Sequence, residues 1–205
     1  MRTLFVNTRY LIVPLMSVIT ILGLITGGIY VWAGVALFVL SAIIDTATKN
    51  IHLRADFDED GNSYGIKILQ YSVMYLMLIV FIALQIAVAW RIFQYVNAAP
   101  IEILSAFGLT IQSGITGANL IGAIVSAGLW AGLGIIYGHE LSHNKKEGFF
   151  VSRLIMSLSG ASHFTYAHVY QHHLHLGHEK DPATAPRGRN VYMHTWLSHA
   201  GQCKF

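Results

Sequence analysis

Residues 66–90 read IKILQYSVMYLMLIVFIALQIAVAW, and Arg91 follows. The hydrocarbon core of a bilayer takes about 17–25 mainly apolar residues as one helix. This run has that length and is almost wholly apolar, which makes it the clearest membrane span in the chain. It closes on Trp90-Arg91, a pair suited to the membrane–water interface. Upstream, residues 10–26 and 29–44 are two shorter apolar runs flanking Gly27-Gly28. They read as a hairpin of two membrane helices that reaches the far headgroups. Arg2 and Arg9 before the first run resemble the start of a secretory signal. No small-residue cleavage site follows and a second apolar run does, so the segment reads as a retained anchor.

Downstream, residues 101–137 form an apolar stretch of 37 residues. As one helix it would be about 55 Å long, more than one crossing needs. Gly114, Gly117 and Asn119 mark the break. The expectation is a short embedded helix at 101–113 and a helix at 118–143 whose span ends near 138. A further helix at 149–173 carries Arg153.

Composition agrees. Of 205 residues, 54% are hydrophobic and 11% charged, against about 45–50% and about 25% in soluble domains. Mean hydropathy is +0.53. A disordered chain, a coiled coil and a nucleic-acid-binding module are excluded. The excess of 13 Lys and Arg over 10 Asp and Glu is small, and its distribution carries the information. With four spans and the N-terminus inside, Arg2, Arg9, Lys49, Arg54, Lys67, Lys145, Lys146, Arg153, Lys180, Arg187, Arg189 and Lys204 fall inside and only Arg91 outside. That is the positive-inside pattern. The fold read from the sequence is all-α: a polytopic transmembrane helical bundle in the inner (cytoplasmic) membrane, with one membrane-embedded domain. Cys203 is the sole cysteine, so neither an internal disulfide framework nor a Cys-based zinc site is expected. The acidic run Asp56-Phe57-Asp58-Glu59-Asp60-Gly61 opens like a calcium loop. Its twelfth position is Lys67 rather than the required Glu, so it reads as a solvated loop between helices.

Histidine is the unusual residue. All but His52 of the 11 lie from His139 onward. His139-Glu140-Leu141-Ser142-His143 places two imidazoles on one helix face, at i and i+4, where they can hold one metal ion. Alone, this pattern also fits a zinc peptidase with the Glu as general base. His168-Val169-Tyr170-Gln171-His172-His173 repeats the spacing, with His173 turned about 100° from its neighbour on a regular helix. Five histidines in two clusters exceed the three ligands of a catalytic zinc. Desolvating that many polar rings without a ligand is costly. A nitrogen-only donor set suits Zn, Cu, Fe or Ni, so the residues leave the metal open. Apolar surroundings favour redox chemistry on an apolar substrate. In the 66–90 span, Met74, Leu76, Met77 and Phe81 are candidates to line its path.

These motifs resemble those of the integral-membrane alkane 1-monooxygenases, within the histidine-box group that includes membrane fatty-acid desaturases and xylene monooxygenase. The family's first box, His-Glu-Leu-Gly-His-Lys, is similar to His139-Glu140-Leu141-Ser142-His143-Asn144-Lys145. Its second, Glu-His-x-x-Gly-His-His followed by Glu-Asp-Pro-Ala-Ser, is similar to residues 167–173 and then Glu179-Lys180-Asp181-Pro182-Ala183-Thr184. His163-Phe164, Ile44-Asp45, Gly188 and Tyr192 also fit. Ala167 and Gln171 replace the family's Glu and Gly, and Lys180 interrupts Glu-Asp-Pro. The family's later His-Tyr-Gly motif and third box have no counterpart in these 205 residues, so the chain reads as the N-terminal part of a member.

The resemblance implies two iron ions held by His139, His143, His168, His172 and His173, with Glu140 and Asp181 accepting imidazole N–H groups behind them. It implies O2-dependent hydroxylation of the terminal carbon of alkanes or alkyl chains drawn from membrane lipid, with electrons from rubredoxin and rubredoxin reductase at the cytoplasmic face. The alternatives are a desaturase or hydroxylase of the same group, a non-catalytic truncated metal-binding protein, and a zinc peptidase. The second cluster with its Asp-Pro-Ala argues against the peptidase. His175 and His178 remain as a surplus i, i+3 pair.

Overall fold

The computed structural model describes residues 2–48, 64–106, 109–144 and 146–204. The acidic loop at 56–61, together with His52, Lys49, Arg54 and Lys145, lies outside the described residues. Among the described residues, four stretches are helical, long and apolar enough to cross a membrane: Val6–Thr26, Gly28–Ala47, Lys67–Val96 and Gly117–Ser142. The all-α polytopic reading is thereby met. By its internal contacts the chain divides into two compact units, Met1–Gly132 and Leu133–Phe205.

The first unit contains α1 (Arg2–Arg9), α2 (Ile12–Thr26), a 3-10 turn (Gly28–Trp32), α3 (Ala33–Ala47), α4 (Lys67–Val96), strands β1 (Ile103–Ala106) and β2 (Leu109–Gln112), and α5 (Gly117–Gly132). Small residues let the helices approach, as membrane packing requires. A Cβ on Gly34 would lie 2.6 Å from Ser126 Cβ and 2.8 Å from Thr20 Cγ2. Polar groups then join across the contact. Ser126 Oγ donates to Val31 O at 2.7 Å, and Trp130 Nε1 donates to Gly34 O at 3.0 Å. On the outer side α3 buries only Gly34, and Ile79 and Ile86 of α4 are exposed. So large an apolar surface is sustained by lipid, not water.

Arg91 departs from the interfacial role its sequence context suggests. It is 0% exposed. Its guanidinium donates to Leu24 O and Ile25 O at the C-terminal end of α2, to Gln94 Oε1, and to Gln112 O and Gly114 O. The carbonyl end of a helix is the negative end of its dipole and suits a cation. Gly27, at φ +82°, makes the turn after α2. A Cβ there would lie 2.5 Å from Arg91 Nη2, so the clamp depends on glycine at this position.

Residues 101–113 are not the expected embedded helix. They form an antiparallel hairpin with Ile103 opposite Gln112 and Ala106 opposite Leu109. The end of the hairpin presents the carbonyls of Gln112 and Gly114 to Arg91. The proposed path residues also separate: Met77 and Phe81 are buried in the core of this unit while Leu76 is exposed. Met74, Met77 and Phe81, at i, i+3 and i+7, share one helix face, and Leu76, about 100° from Met77, lies off it.

The second unit contains α6 (Gly134–Ser142), α7 (Lys146–Leu158), α8 (Phe164–Ala167), a π-helical turn (His168–His172), α9 (His173–His175) and α10 (Val191–Gln202). The helix expected at 118–143 is interrupted at Leu133. The one expected at 149–173 starts earlier and breaks after Leu158, where Gly160 adopts φ +77°. Ser152 Oγ donates to Gly138 O and lies 3.2 Å from Thr165 Oγ1, joining α6, α7 and α8. Helix α10, absent from the sequence reading, is capped by Asn190, whose Oδ1 accepts from Tyr192 N at 2.9 Å.

Candidate metal centre

All five sequence-predicted histidines lie in the second unit. His139 sits in the last turn of α6 and His143 caps it, so the i, i+4 geometry holds, with ring centroids 5.1 Å apart. The second cluster is not the regular helix its spacing suggests. The N–H of His173 bonds back to His168 O, five residues earlier, closing a π turn. That extra residue per turn brings His173 to His168 as well, beside His172, whose ring stacks on that of His168 at 5.4 Å and 22°. Their Nε2 atoms are 3.1 Å apart. From the other side, His143 Nε2 lies 3.2 Å from His168 Nε2. The donor atoms of His139, His143 and His168 all fall within 4.8 Å of one another. Phe164 stacks on the His168 ring at 5.1 Å and 9°, fixing its plane.

His172 turns the other way. Its Nδ1–H donates to Asp181 Oδ2 at 2.8 Å. Asp181 is 3% exposed, and it also accepts from Ala183 N at 2.9 Å and from Thr184 Oγ1. Burial by itself raises the Asp181 pKa. The hydrogen bonds from Thr184, Ala183 and His172 outweigh it and hold the carboxyl below its ordinary value. Thr184 escaped the sequence reading, although its hydroxyl stands where the resembled family has a Ser. Glu140 is exposed on α6, and among the described residues no imidazole N–H reaches it. The structure does not bring His175 or His178 into the group. Burial, then the neighbouring imidazoles His139, His173, His143 and His172, pushes the His168 pKa down to about 4. The ring is therefore neutral near pH 7, the form that ligates a metal.

A metal ion fits this donor set. His168 Nε2 has imidazole nitrogens at 3.2 and 3.1 Å on two sides. A neutral ring nitrogen either donates once or accepts once, so it cannot satisfy both by hydrogen bonding. Two nitrogens bound to one ion at about 2.1 Å each lie roughly 3–3.4 Å apart, so one shared cation accounts for both distances. The donors are all nitrogen, which suits Fe as well as Zn, Cu and Ni.

Comparison with known proteins points to the same class. Residues 116–204, which hold every residue of this cluster, match the fatty acid desaturase family model. The chain is 34% identical to an alkane 1-monooxygenase of Pseudomonas putida over 92 residues, which is 44% of this chain and 22% of that protein. It is 29% identical to alkane 1-monooxygenase 1 of Alcanivorax borkumensis over 171 residues, which is 79% of this chain and 36% of that one. A third alkane 1-monooxygenase, from Ectopseudomonas oleovorans, is 37% identical over 75 residues, 35% of this chain and 18% of its own length. The chain thus spans about a third or less of the curated relatives it matches.

Proposed function

We propose that the chain provides the first two histidine boxes of a non-haem di-iron membrane monooxygenase that hydroxylates the terminal carbon of alkanes or alkyl chains. The observation that carries the reading is the convergence of His139, His143, His168 and His173 beside a His172–Asp181 pair. Bound iron supplies activation of O2. The protein's own groups hold and orient. The first four imidazoles grip one ion. Asp181 fixes the Nδ1–H tautomer of His172, leaving Nε2 as the donor toward a second. An apolar substrate dissolved in lipid suits a chain that itself lies in the membrane. In this reading the histidines face the cytoplasm of the inner membrane, where rubredoxin, reduced by its reductase, delivers electrons. Glu140 acts on His139 through its charge.

Two experiments test this. Anaerobic iron loading of the chain in lipid nanodiscs gives histidine-bound iron, abolished by His143→Ala or His168→Ala. No iron uptake, or iron binding that survives both substitutions in a Cys203→Ser background, overturns the iron reading. Membranes containing the chain, alone or with a polypeptide supplying the family's later histidine boxes, are then given octane, O2, rubredoxin and its reductase. 1-Octanol from the paired membranes alone is the expected result, and it disappears with His143→Ala. Octenes in place of 1-octanol move the assignment to desaturation.

A further inference from the structure

His163, His199 and Cys203 meet at a second place in the second unit, and none of the three belongs to the cluster above. His199 and Cys203 stand at i and i+4 at the end of α10. The bond from Cys203 N to His199 O, 3.0 Å long, keeps the helical geometry through that turn, so both side chains share a face. His163 comes from the turn between α7 and α8. The His163 and His199 rings are 4.7 Å apart at 82°. The two imidazole donors and the thiol sulfur all lie within 4.8 Å of one another. Among the described residues, none of the three side chains is engaged in a hydrogen bond.

We propose that His163, His199 and Cys203 form a second metal site, which binds one thiophilic first-row cation of the zinc class with a coordination position left open. The donor chemistry separates it from the first cluster, which has no sulfur. Imidazole with thiolate selects zinc or copper, whereas nitrogen alone does not discriminate. Three protein ligands with a free fourth position is a common zinc arrangement. The location helps as well: the carbonyl end of α10 is the negative end of its dipole. His199 and Cys203 are exposed, so they can rotate the short distance that closes the donors around an ion. A lone cysteine excludes sites made of cysteines, but not a mixed site whose imidazoles come from 4 and 40 residues away in sequence.

Such an ion braces the first centre without touching it. It ties α10 to the turn that leads into α8 and His168. Helix α10 already rests on the segment that carries Asp181. His194 Nε2 lies 3.3 Å from Ala183 O, and a Cβ on Gly201 would come within 2.5 Å of Pro182 Cβ. The proposal does not depend on the monooxygenase reading.

The test uses cobalt(II) as a spectroscopic stand-in, titrated into the metal-stripped full chain in nanodiscs. Cys203 is the only cysteine, so a near-ultraviolet thiolate-to-cobalt charge-transfer band can arise nowhere else. The expected result is a band that saturates at an amplitude of one thiolate-bound cobalt per chain. It is absent in Cys203→Ser, weakened at least about tenfold in apparent affinity by His163→Asn or His199→Ala, and retained in His143→Ala. A second readout covers a variant that fails to fold. Zinc slows alkylation of Cys203 by iodoacetamide in the native chain but not in His199→Ala. No band at saturating cobalt, or a band indifferent to both histidine substitutions, overturns the proposal.

Discussion

At the residue scale, one carboxylate and one imidazole set the acid behaviour of the histidine unit. His168 has its folded pKa lowered to about 4 from an ordinary value near 6.5. Between these values the unfolded chain binds the proton and the folded one does not. Stability of the metal-free protein therefore falls as pH drops from about 6.5 toward 4, and this contribution levels off below 4. Asp181 adds to the loss at lower pH. Its depressed folded pKa gives stability that is present above the unfolded value and is lost as pH falls through the folded one. Thermal unfolding of the metal-free chain across this range should show the slope, and His168→Gln should flatten its upper part. Asp181 also holds the tautomer of His172. Asp181→Asn should weaken metal binding by about 10–100-fold, read by competition with a chelator, with little change in helix content. In the other unit, Arg91 is buried with carbonyl partners and, among the described residues, no carboxylate. Arg91→Ala leaves those carbonyls unpaired and should cost about 1–3 kcal/mol for each that stays buried without a donor, measured by thermal unfolding in detergent.

At the element scale, close approach of backbones decides which helices pair. Helix α3 meets α5 at Gly34, where Trp130 Nε1 donates to the glycine carbonyl. Gly34→Leu should force the helices apart, break that bond and destabilise the unit by about 1–3 kcal/mol. A shift in tryptophan fluorescence together with a lower unfolding temperature would report it. The π turn at His168–His172 is the other element whose geometry matters. Regular i, i+4 spacing suggests His168 with His172, yet the inserted residue pairs His168 with His173 and frees His172 for Asp181. Nothing in the residues His-Val-Tyr-Gln-His-His marks that turn. Such bulges cluster at functional sites because they re-aim side chains.

At the scale of the whole molecule, the charge distribution sets how the chain lies in a membrane. In the proposed topology, with four spans and the N-terminus inside, α10 and Cys203 would lie on the cytoplasmic side. An impermeant maleimide, applied with a chelator present, should label Cys203 in inverted membrane vesicles and leave it unlabelled in intact spheroplasts. The reverse result would invert the topology and move the histidines to the far side.

The membrane class, the four spans and the two histidine motifs were legible directly in residues 10–44, 66–90, 118–143 and 168–173. Hydrophobic length and i, i+4 spacing are local properties, and local sequence determines them. The hairpin at 103–112 and the buried role of Arg91 were not legible, because the carbonyls that Arg91 takes come from segments 21 to 67 positions away in sequence. The convergence of His143 on His168, the turning of His172 to Asp181 and the meeting of His163 with Cys203 join residues from 9 to 40 positions apart. Tertiary packing alone decides which donors share a point in space, since a metal selects by distance and direction rather than by order along the chain.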